Sequence, residues 1–384
     1  MRLDCVERLD GVPAAAWDAL VGADNPFVCH AFLSALERSG SVGSEASGWR
    51  PRHLLVHAEG QLVAAMPVYE KAHSYGEYIF DWAWAEAAER AGLSYYPKLV
   101  AAVPFTPATG PRMLLHPAAV ADPRLVPTLL QGLRGLAEAT QASSIHVLFC
   151  TEAEAVRLGE AGLTARLSYQ FHWQAQPSWR HFDDFLAALR APARKQVRRE
   201  RATAAAHGLR LCMKRGTQLD ARDWAALESF YRSTVADKRA YAYLPSAFFT
   251  EARRSLAPQV LAAMAYDGDE PVAGALFFTR GSHLYGRYWG AHRHYDALHF
   301  ELCYYQPIAW ALTHGIRHFE AGAQGEHKLK RGLLPAACHS AHWLRHPGLA
   351  QAVNQAIAGE RRALLDEMAG LSAHTPYPRP AQTT

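Results

Sequence analysis

The stretch Phe319–Leu333 (FEAGAQGEHKLKRGL) holds the densest run of reactive side chains in this sequence. Glu320 is expected to end a short strand. Gly322 and Gly325 then permit tight backbone turns, and His327, Lys328, Lys330 and Arg331 follow close together. Glu320 or Glu326 can take up a proton, and Lys328 can offset negative charge that develops during a reaction. Glu326 and His327 also fit an ordinary polar loop tip. A second run, Arg190–Arg201 (RAPARKQVRRER), holds six basic residues and one acid. Arg194, Arg198 and Arg201 recur at i, i+4 and i+7, so they share one helix face. Such a face can grip phosphates through charge-assisted, bidentate bonds, or it can simply be solvated.

Two further segments carry candidate binding chemistry. Ala291–His299 (AHRHYDALH) leads into a long apolar-periodic helix, and the free N–H groups of a helix start attract anions. His292 and Arg293 add positive charge there, whereas Asp296 is a competing N-cap that would repel phosphate. Tyr75, Glu77, Tyr78, Asp81, Trp82 and Trp84 interleave aromatic rings with acids. Rings beside carboxylates suit a sugar or an amine-bearing molecule. Edge packing between lobes is the other reading.

Other chemistries lack their signatures. His299 and Glu301 form H-x-E, but no P-C-x-x-C follows, which removes a zinc deaminase. There is no G-x-x-x-x-G-K-[ST], G-x-G-x-x-G or H-E-x-x-H, and no G-x-S-x-G elbow. The six cysteines are scattered with no C-x-x-C, so neither a zinc ribbon nor a disulfide framework is expected, and no metal site.

The elements that must position these residues repeat. His53–Glu70 (HLLVHAEGQLVAAMPVYE) and Leu261–Arg280 (LAAMAYDGDEPVAGALFFTR) each read as strand, tight turn and longer strand, the signature of a β-hairpin. A short amphipathic helix precedes each: Ala31–Ser39 and Ala247–Ser255. The shared order predicts a tandem duplication of one α/β unit. In the second copy the pattern predicts a helix over Phe182–Ala206 broken at Ala191–Pro192, and a strand at Leu209–Lys214. A helix capped by Asp220 and running through Val235 comes next. Three strands, Val260–Tyr266, Val272–Thr279 and His283–Ala291, are followed by a long helix, Ala297–His314. Its apolar positions are Leu298, Leu302, Tyr305, Ala309 and Leu312, it ends at Gly315, and the strand Ile316–Glu320 follows. The first copy reads similarly, with a helix at Leu125–Ala139 and a strand at Ser144–Cys150.

Composition bounds the class. The chain has 384 residues, 49% of them hydrophobic, enough for two domains at roughly 100–200 residues each. Mean hydropathy is −0.16, and no apolar run nears the ~18 residues of a spanning helix. The start, MRLDCVERLDG, has neither the basic end nor the apolar core of a signal peptide, so a reduced, cytoplasmic protein is expected. Net charge is only +4, so basic charge acts locally and no DNA partner is expected.

Helix, β-meander, helix, strand resembles the GNAT (Gcn5-related N-acetyltransferase) layout. Arg194–Leu211 (RKQVRRERATAAAHGLRL) resembles the R-K-x-x-R-R helix, Gly and strand of Fem-type peptidoglycan aminoacyltransferases. Phe319–Pro335 resembles their end motif of strand acid, Gly-rich turns, and a Lys leading to a Gly. Ser74–Leu99, Val103–Arg112 and His299–Leu312 resemble a FemAB-like branch described as peptidoglycan biosynthesis or recognition proteins, and the likeness covers almost the whole chain. Two features depart from the relatives. The acetyl-CoA pyrophosphate signature Q/R-x-x-G-x-G/A is met by Arg287 and Gly290 but ends in His292. The long helical arm of tRNA-using Fem enzymes is replaced by the shorter Phe182–Ala206.

The resemblance implies an α/β fold of two tandem GNAT-like lobes, each a mixed, largely antiparallel sheet flanked by helices. The expected divisions are residues 1–176, an acceptor-binding lobe; 177–372, a donor-binding and catalytic lobe; and a disordered tail, 373–384. The boundary is expected in Gln174–Trp179. The implied activity is N-acyl transfer from acyl-CoA to an amine by direct attack. Glu320, Glu326, His327 and Lys328 would be catalytic, Lys328 matching the family's Lys. Arg194, Arg198, Arg201, Gly290, His292, Arg293, Lys330 and Arg331 would bind the donor. Tyr75, Glu77, Tyr78, Asp81 and Trp82 would bind the acceptor, a small amine or a cell-wall precursor. The alternatives are a transferase using aminoacyl-tRNA on a peptidoglycan precursor, and a recognition module without catalysis.

Overall fold

The structure is a computed structural model that describes residues 1–322 and 325–378. Contacts divide the chain into two units. The first comprises Met1–Ser168, Tyr243–Glu251 and Ala337–Asp366; the second comprises Tyr169–Ala242, Ala252–Ala336 and Glu367–Thr384. Among the described residues, no helix is long and apolar enough to cross a membrane.

In the first unit, β1 (Arg2–Val6), β3 (His53–Ala58) and β4 (Gln61–Met66) pair antiparallel, after the short β2 (Trp49–Pro51). β5 (Val68–Lys71) pairs antiparallel with β2 and with β6 (Lys98–Ala101). Pro67 separates β4 from β5. It has no N–H for a ladder, so the strand breaks there and its halves join different sheets. β7 (Leu114–Leu115) extends β4, and β6 runs parallel to β8 (Ser144–Cys150). The helix Leu125–Ala139 makes the crossover and buries Leu125, Leu129, Leu133 and Ala137 with Ile145 and Val147 of β8.

The chain continues through β9 (Thr164–Gln174), β10 (Arg210–Arg215), β11 (Val260–Asp267), β12 (Glu270–Arg280), β13 (His283–Ala291), β14 (His318–Glu320) and β15 (Leu334–Leu344). In the second unit β10, β11, β12 and β13 form an antiparallel meander, and β13 runs parallel to β14. This repeats the main strands of the first unit in the same order. β10 matches β1, β11 matches β3, β12 matches β4 with β5, β13 matches β6, and β14 matches β8. Each unit adds one antiparallel strand from elsewhere in the chain: β15 on β8 and β9 on β14. The duplicated hairpins are thus β3–β4–β5 and β11–β12. The duplicated helices, His30–Arg38 and Ser246–Glu251, both belong to the first unit, where Phe32 and Phe248 pack edge-on at 6.2 Å.

The crossover in the second unit departs from a plain α-helix. Leu298–Phe300 and Gln306–Thr313 are α-helical, but Glu301–Tyr305 is a π-turn. A π-turn inserts an extra residue. The buried set therefore shifts from the expected Ala309 to Ile308 and Ala311, beside Leu298, Leu302, Tyr305 and Leu312. Burying a side chain of this size stabilises by roughly 1.5–3 kcal/mol. The helix Phe182–Ala206 is split, as Ala191–Pro192 implied, into Phe182–Ala188 and Ala191–Ala205. In the tail, Tyr377 donates to the Gly332 carbonyl at 2.8 Å, and residues 379–384 lie outside the described residues.

Candidate active site

β14 is three residues long, and its alternation sorts them. Phe319 enters the core beneath the crossover helix, while His318 and Glu320 point to the opposite face. β9 alternates in the same way and places His172 opposite Glu320 and Gln174 opposite His318. Glu320 is 4% exposed. One carboxylate oxygen lies 3.9 Å from His172 Nε2 and the other 3.6 Å from His318 Nε2. His318 Nδ1 lies 2.9 Å from the Gln174 side-chain oxygen. Burial lowers the pKa of His172, with Glu320 opposing that shift.

The segment after Glu320 returns to the same place. Gly322 has φ +79°, a left-handed conformation that suits glycine. Residues 323–324, part of the Gly-rich motif, lie outside the described residues. A 3-10 helix, Glu326–Arg331, follows and ends at Gly332 with φ +90°. Lys328 is buried, and its Nζ donates to the Gly322 carbonyl at 2.6 Å. Burial pushes the Lys328 pKa down to about 8, with Cys303 working the other way. The His327 ring lies 3.0 Å from the Tyr304 hydroxyl and packs near His299. Burial, and then the neighbouring His327 and Arg331, lower His299 to about 4. Glu326 and Lys330 are exposed.

The strands diverge at this point. β14 pairs with β13 only from His283↔His318 to Tyr285↔Glu320. Among the described residues, Gly286–Ala291 has no strand on that side, so β13 presents an open edge beside Glu320. The departing chain passes beside Gly286, where a Cβ would meet the Ala321 Cα at an ordinary van der Waals distance of 3.5 Å.

The expected donor residues fall into three groups. Arg198 and Arg201 line an open depression of about 520 Å³ that also includes Asp183, Glu301 and Gln306. Arg201 is held there by Glu301 through two bonds of 3.1 Å, and Arg194 donates to the Ala187 carbonyl at 3.3 Å. Arg331 is buried and engaged with Glu200 at 2.6 and 3.1 Å, its guanidinium 3.4 Å from the Phe300 ring centre. The turn after β13 leaves His292 and Arg293 exposed. Asp296 does not cap the helix. It pairs with His294 at 2.8 Å, and Ala297 occupies the cap with φ +62°. His207, at the end of the basic helix, contacts the Asp296 carbonyl at 3.0 Å, so this helix and the turn meet. Gly290 serves packing: a Cβ there would lie 2.0 Å from the Phe230 carbonyl oxygen.

The expected acceptor residues lie in the segment between β5 and β6, where the second unit has only the Gly281–Ser282 turn. The acids of this segment point inward. Lys98, fully buried, donates to Ser74 at 2.7 Å, to Glu77 at 2.8 Å and to Asp81. Burial works against the Lys98 charge, but Glu77 and Asp81 outweigh it and hold the pKa above the ordinary lysine value. Tyr75 is 55% exposed and stacks obliquely on Trp82, while Tyr78 takes φ +63°. Register makes this cluster the counterpart of the second unit's. His146 on β8 faces Val100 and His342, as Glu320 on β14 faces Tyr285 and His172.

Sequence reasoning missed His172, His318, Tyr304, Glu200 and Lys98. A signal for the first two existed: Gln170, His172 and Gln174 alternate with Phe171 and Trp173, and His318 and Glu320 flank Phe319. Both strands thus advertise one polar face.

The comparisons with known proteins agree with one another. A family described as peptidoglycan biosynthesis/recognition (FemAB-like) matches residues 8–379. No curated protein matches. Among solved structures, FemX is 11% identical, with a TM-score of 0.55 over 92% of this chain and 100% of its own. The C-terminal DUF2156 domain of a putative lysylphosphatidylglycerol synthetase from Agrobacterium fabrum is 12% identical, with a TM-score of 0.53 over 88% of this chain and 93% of its own. L-PGS from Bacillus licheniformis is 10% identical, with a TM-score of 0.53 over 91% and 98%. At these identities the structural likeness is one of fold.

Proposed function

We propose that this chain, which belongs to the FemAB-like family of peptidoglycan biosynthesis/recognition proteins, is an N-acyltransferase acting at the end of β14. It moves an acyl group from acyl-CoA to an amine by direct attack. The observation that carries the reading is one juxtaposition. A buried carboxylate, Glu320, flanked by two imidazoles, lies at the point where β13 and β14 part, and Lys328 is anchored two residues further on at Gly322.

The amine nitrogen attacks the thioester carbon, and Glu320 receives the amine proton. The oxyanion that forms is stabilised by Lys328, which burial places where its charge acts through little water. The C–S bond then breaks, and the thiolate leaves and picks up a proton. His172 and His318 flank the carboxylate at 3.9 and 3.6 Å, and His327 fixes the start of the 3-10 helix through Tyr304. Exposed Arg198, His292, Arg293 and Lys330, with Arg194, face the donor's phosphates. Arg201 and Arg331 hold carboxylates of the fold instead. The acceptor is an amine of a peptidoglycan precursor, met by the exposed Tyr75 and the half-buried Trp82. Free cysteines throughout suit a cytoplasmic setting.

Parallel titrations with CoA and with tRNA test the donor. Binding of CoA that weakens with salt and falls in Arg198→Ala supports the reading. Binding of tRNA alone moves the donor to an aminoacyl ester while keeping the same site. Binding of neither removes the reading.

A further inference from the structure

We propose that His172, His318 and Glu320 form a binding site for a divalent ion of the zinc class. The ligand atoms, one from each side chain, all lie within 4.8 Å of one another. The two nitrogen–oxygen separations, 3.6 and 3.9 Å, are too long for hydrogen bonds. They are close to what an ion between them requires: two bonds of about 2.1 Å at a tetrahedral angle place their outer atoms about 3.4 Å apart.

Three independent features point to a ligand in this gap. The first is that His172, its side chain 10% exposed, has a buried Nε2 with no hydrogen-bond partner among the described residues. An unanswered buried nitrogen costs free energy unless something fills it. The second is that His318 meets Gln174 through Nδ1 at 2.9 Å. That bond fixes the tautomer and leaves the Nε2 lone pair facing Glu320, as metal-bound histidines are normally arranged. The third is the contrast with the first unit. There the equivalent histidines satisfy one another: His146 Nδ1 and His342 Nδ1 lie 2.7 Å apart, and their other nitrogens meet Ser144 at 2.7 Å and Ser340 at 2.9 Å. The second unit keeps the register, but there His172 Nε2 has no hydrogen-bond partner among the described residues.

Two imidazoles and a carboxylate is a donor set that zinc accepts. The sequence held no spacing motif for this site because its ligands come from two strands about 150 residues apart in the chain. An ion held here takes Glu320 out of proton transfer, so metal and base exclude each other and zinc inhibits. The site itself stands on side-chain geometry, independently of the transfer reaction.

The test uses the full chain, stripped with chelator and titrated with Co²⁺, read by visible absorption and by metal per chain. The expected result is one Co²⁺ per chain with the absorption of a low-coordinate site, displaced by Zn²⁺. His172→Gln and His318→Gln should each weaken it at least ~100-fold. Gln174→Ala, which removes only the outer hydrogen bond, should weaken it ~10-fold. His116→Gln, a half-buried control in the first unit, should change nothing. Binding that survives both ligand changes, or no Co²⁺ absorption of this kind, overturns the proposal. If the ligand variants melt early, Gln174→Ala decides: unchanged affinity overturns it. CoA and tRNA titrations of the same protein report separately on the transferase reading.

Discussion

Arg331 separates two readings of the 3-10 helix, because a phosphate-binding arginine must be available and this one is committed. Its guanidinium makes two bonds to Glu200, at 2.6 and 3.1 Å, and a third to the His327 carbonyl at 2.7 Å. Its side chain is 4% exposed and that of Glu200 10%. Arg331→Met leaves the Glu200 carboxylate buried with Tyr305 and Gln196 as its remaining hydrogen-bond partners among the described residues. Breaking a buried pair from one side costs about 3–5 kcal/mol. At ~2–4 °C per kcal/mol for a unit of this size, the melting midpoint should fall by roughly 6–20 °C. Glu200→Met with Arg331→Met removes both charges and should recover most of the loss, because isosteric apolar replacement of such pairs is often near neutral. Urea unfolding of wild type, both single variants and the double variant gives the coupling energy, expected at about 2 kcal/mol or more. A loss below about 1 kcal/mol for Arg331→Met would refute the reasoning and return Arg331 to the donor site.

Further predictions follow from other buried charges and close contacts. Lys328 has a folded pKa of about 8, below the ordinary lysine value. Below pH 8 it is charged in both folded and unfolded states, and the cost of burying it is full. Between about 8 and the ordinary value only the unfolded chain keeps the proton, so stability rises with pH. Lys328→Met should flatten that rise in denaturation curves, and activity that needs the ammonium should fall as pH passes about 8. Lys98→Met leaves Asp81 buried without its lysine and Glu77 with Lys71 at 3.9 Å, and calorimetry should show a loss of about 3–5 kcal/mol. Gly290→Ala drives a methyl against the Phe230 carbonyl and should cost roughly 1–3 kcal/mol in urea unfolding, even in protein that never meets a donor.

Local pattern made much of the fold legible. The two hairpins, the helix at Leu125–Ala139, the strand at Ser144–Cys150 and the Asp220 cap are written in period, turn residues and capping chemistry, and all are present. What escaped is non-local. β9 and β15 find partners far along the chain, and nothing in either strand names β14 or β8. The π-turn at Glu301–Tyr305 shifts a buried face without disturbing the apolar spacing enough to be noticed. In the site, Glu320 and Lys328 were visible as motif residues, but the committed state of Arg201 and Arg331 was not. A cation and the acid that claims it lie 100 and 131 residues apart in these pairs. Glu77 and Asp81 looked like a binding surface for the same reason: Lys98, which draws them inward, is a single residue in an apolar strand.

Transfer itself is the most direct measurement. Labelled acyl-CoA and aminoacyl-tRNA are each offered with an amine-bearing peptidoglycan precursor, and label in the new amide is counted. The account predicts amide from acyl-CoA, with Glu320→Gln and Lys328→Ala each lowering turnover by roughly 10²-fold or more while the fold survives. Label transferred at wild-type rate by both variants, or from neither donor with wild type, would contradict it.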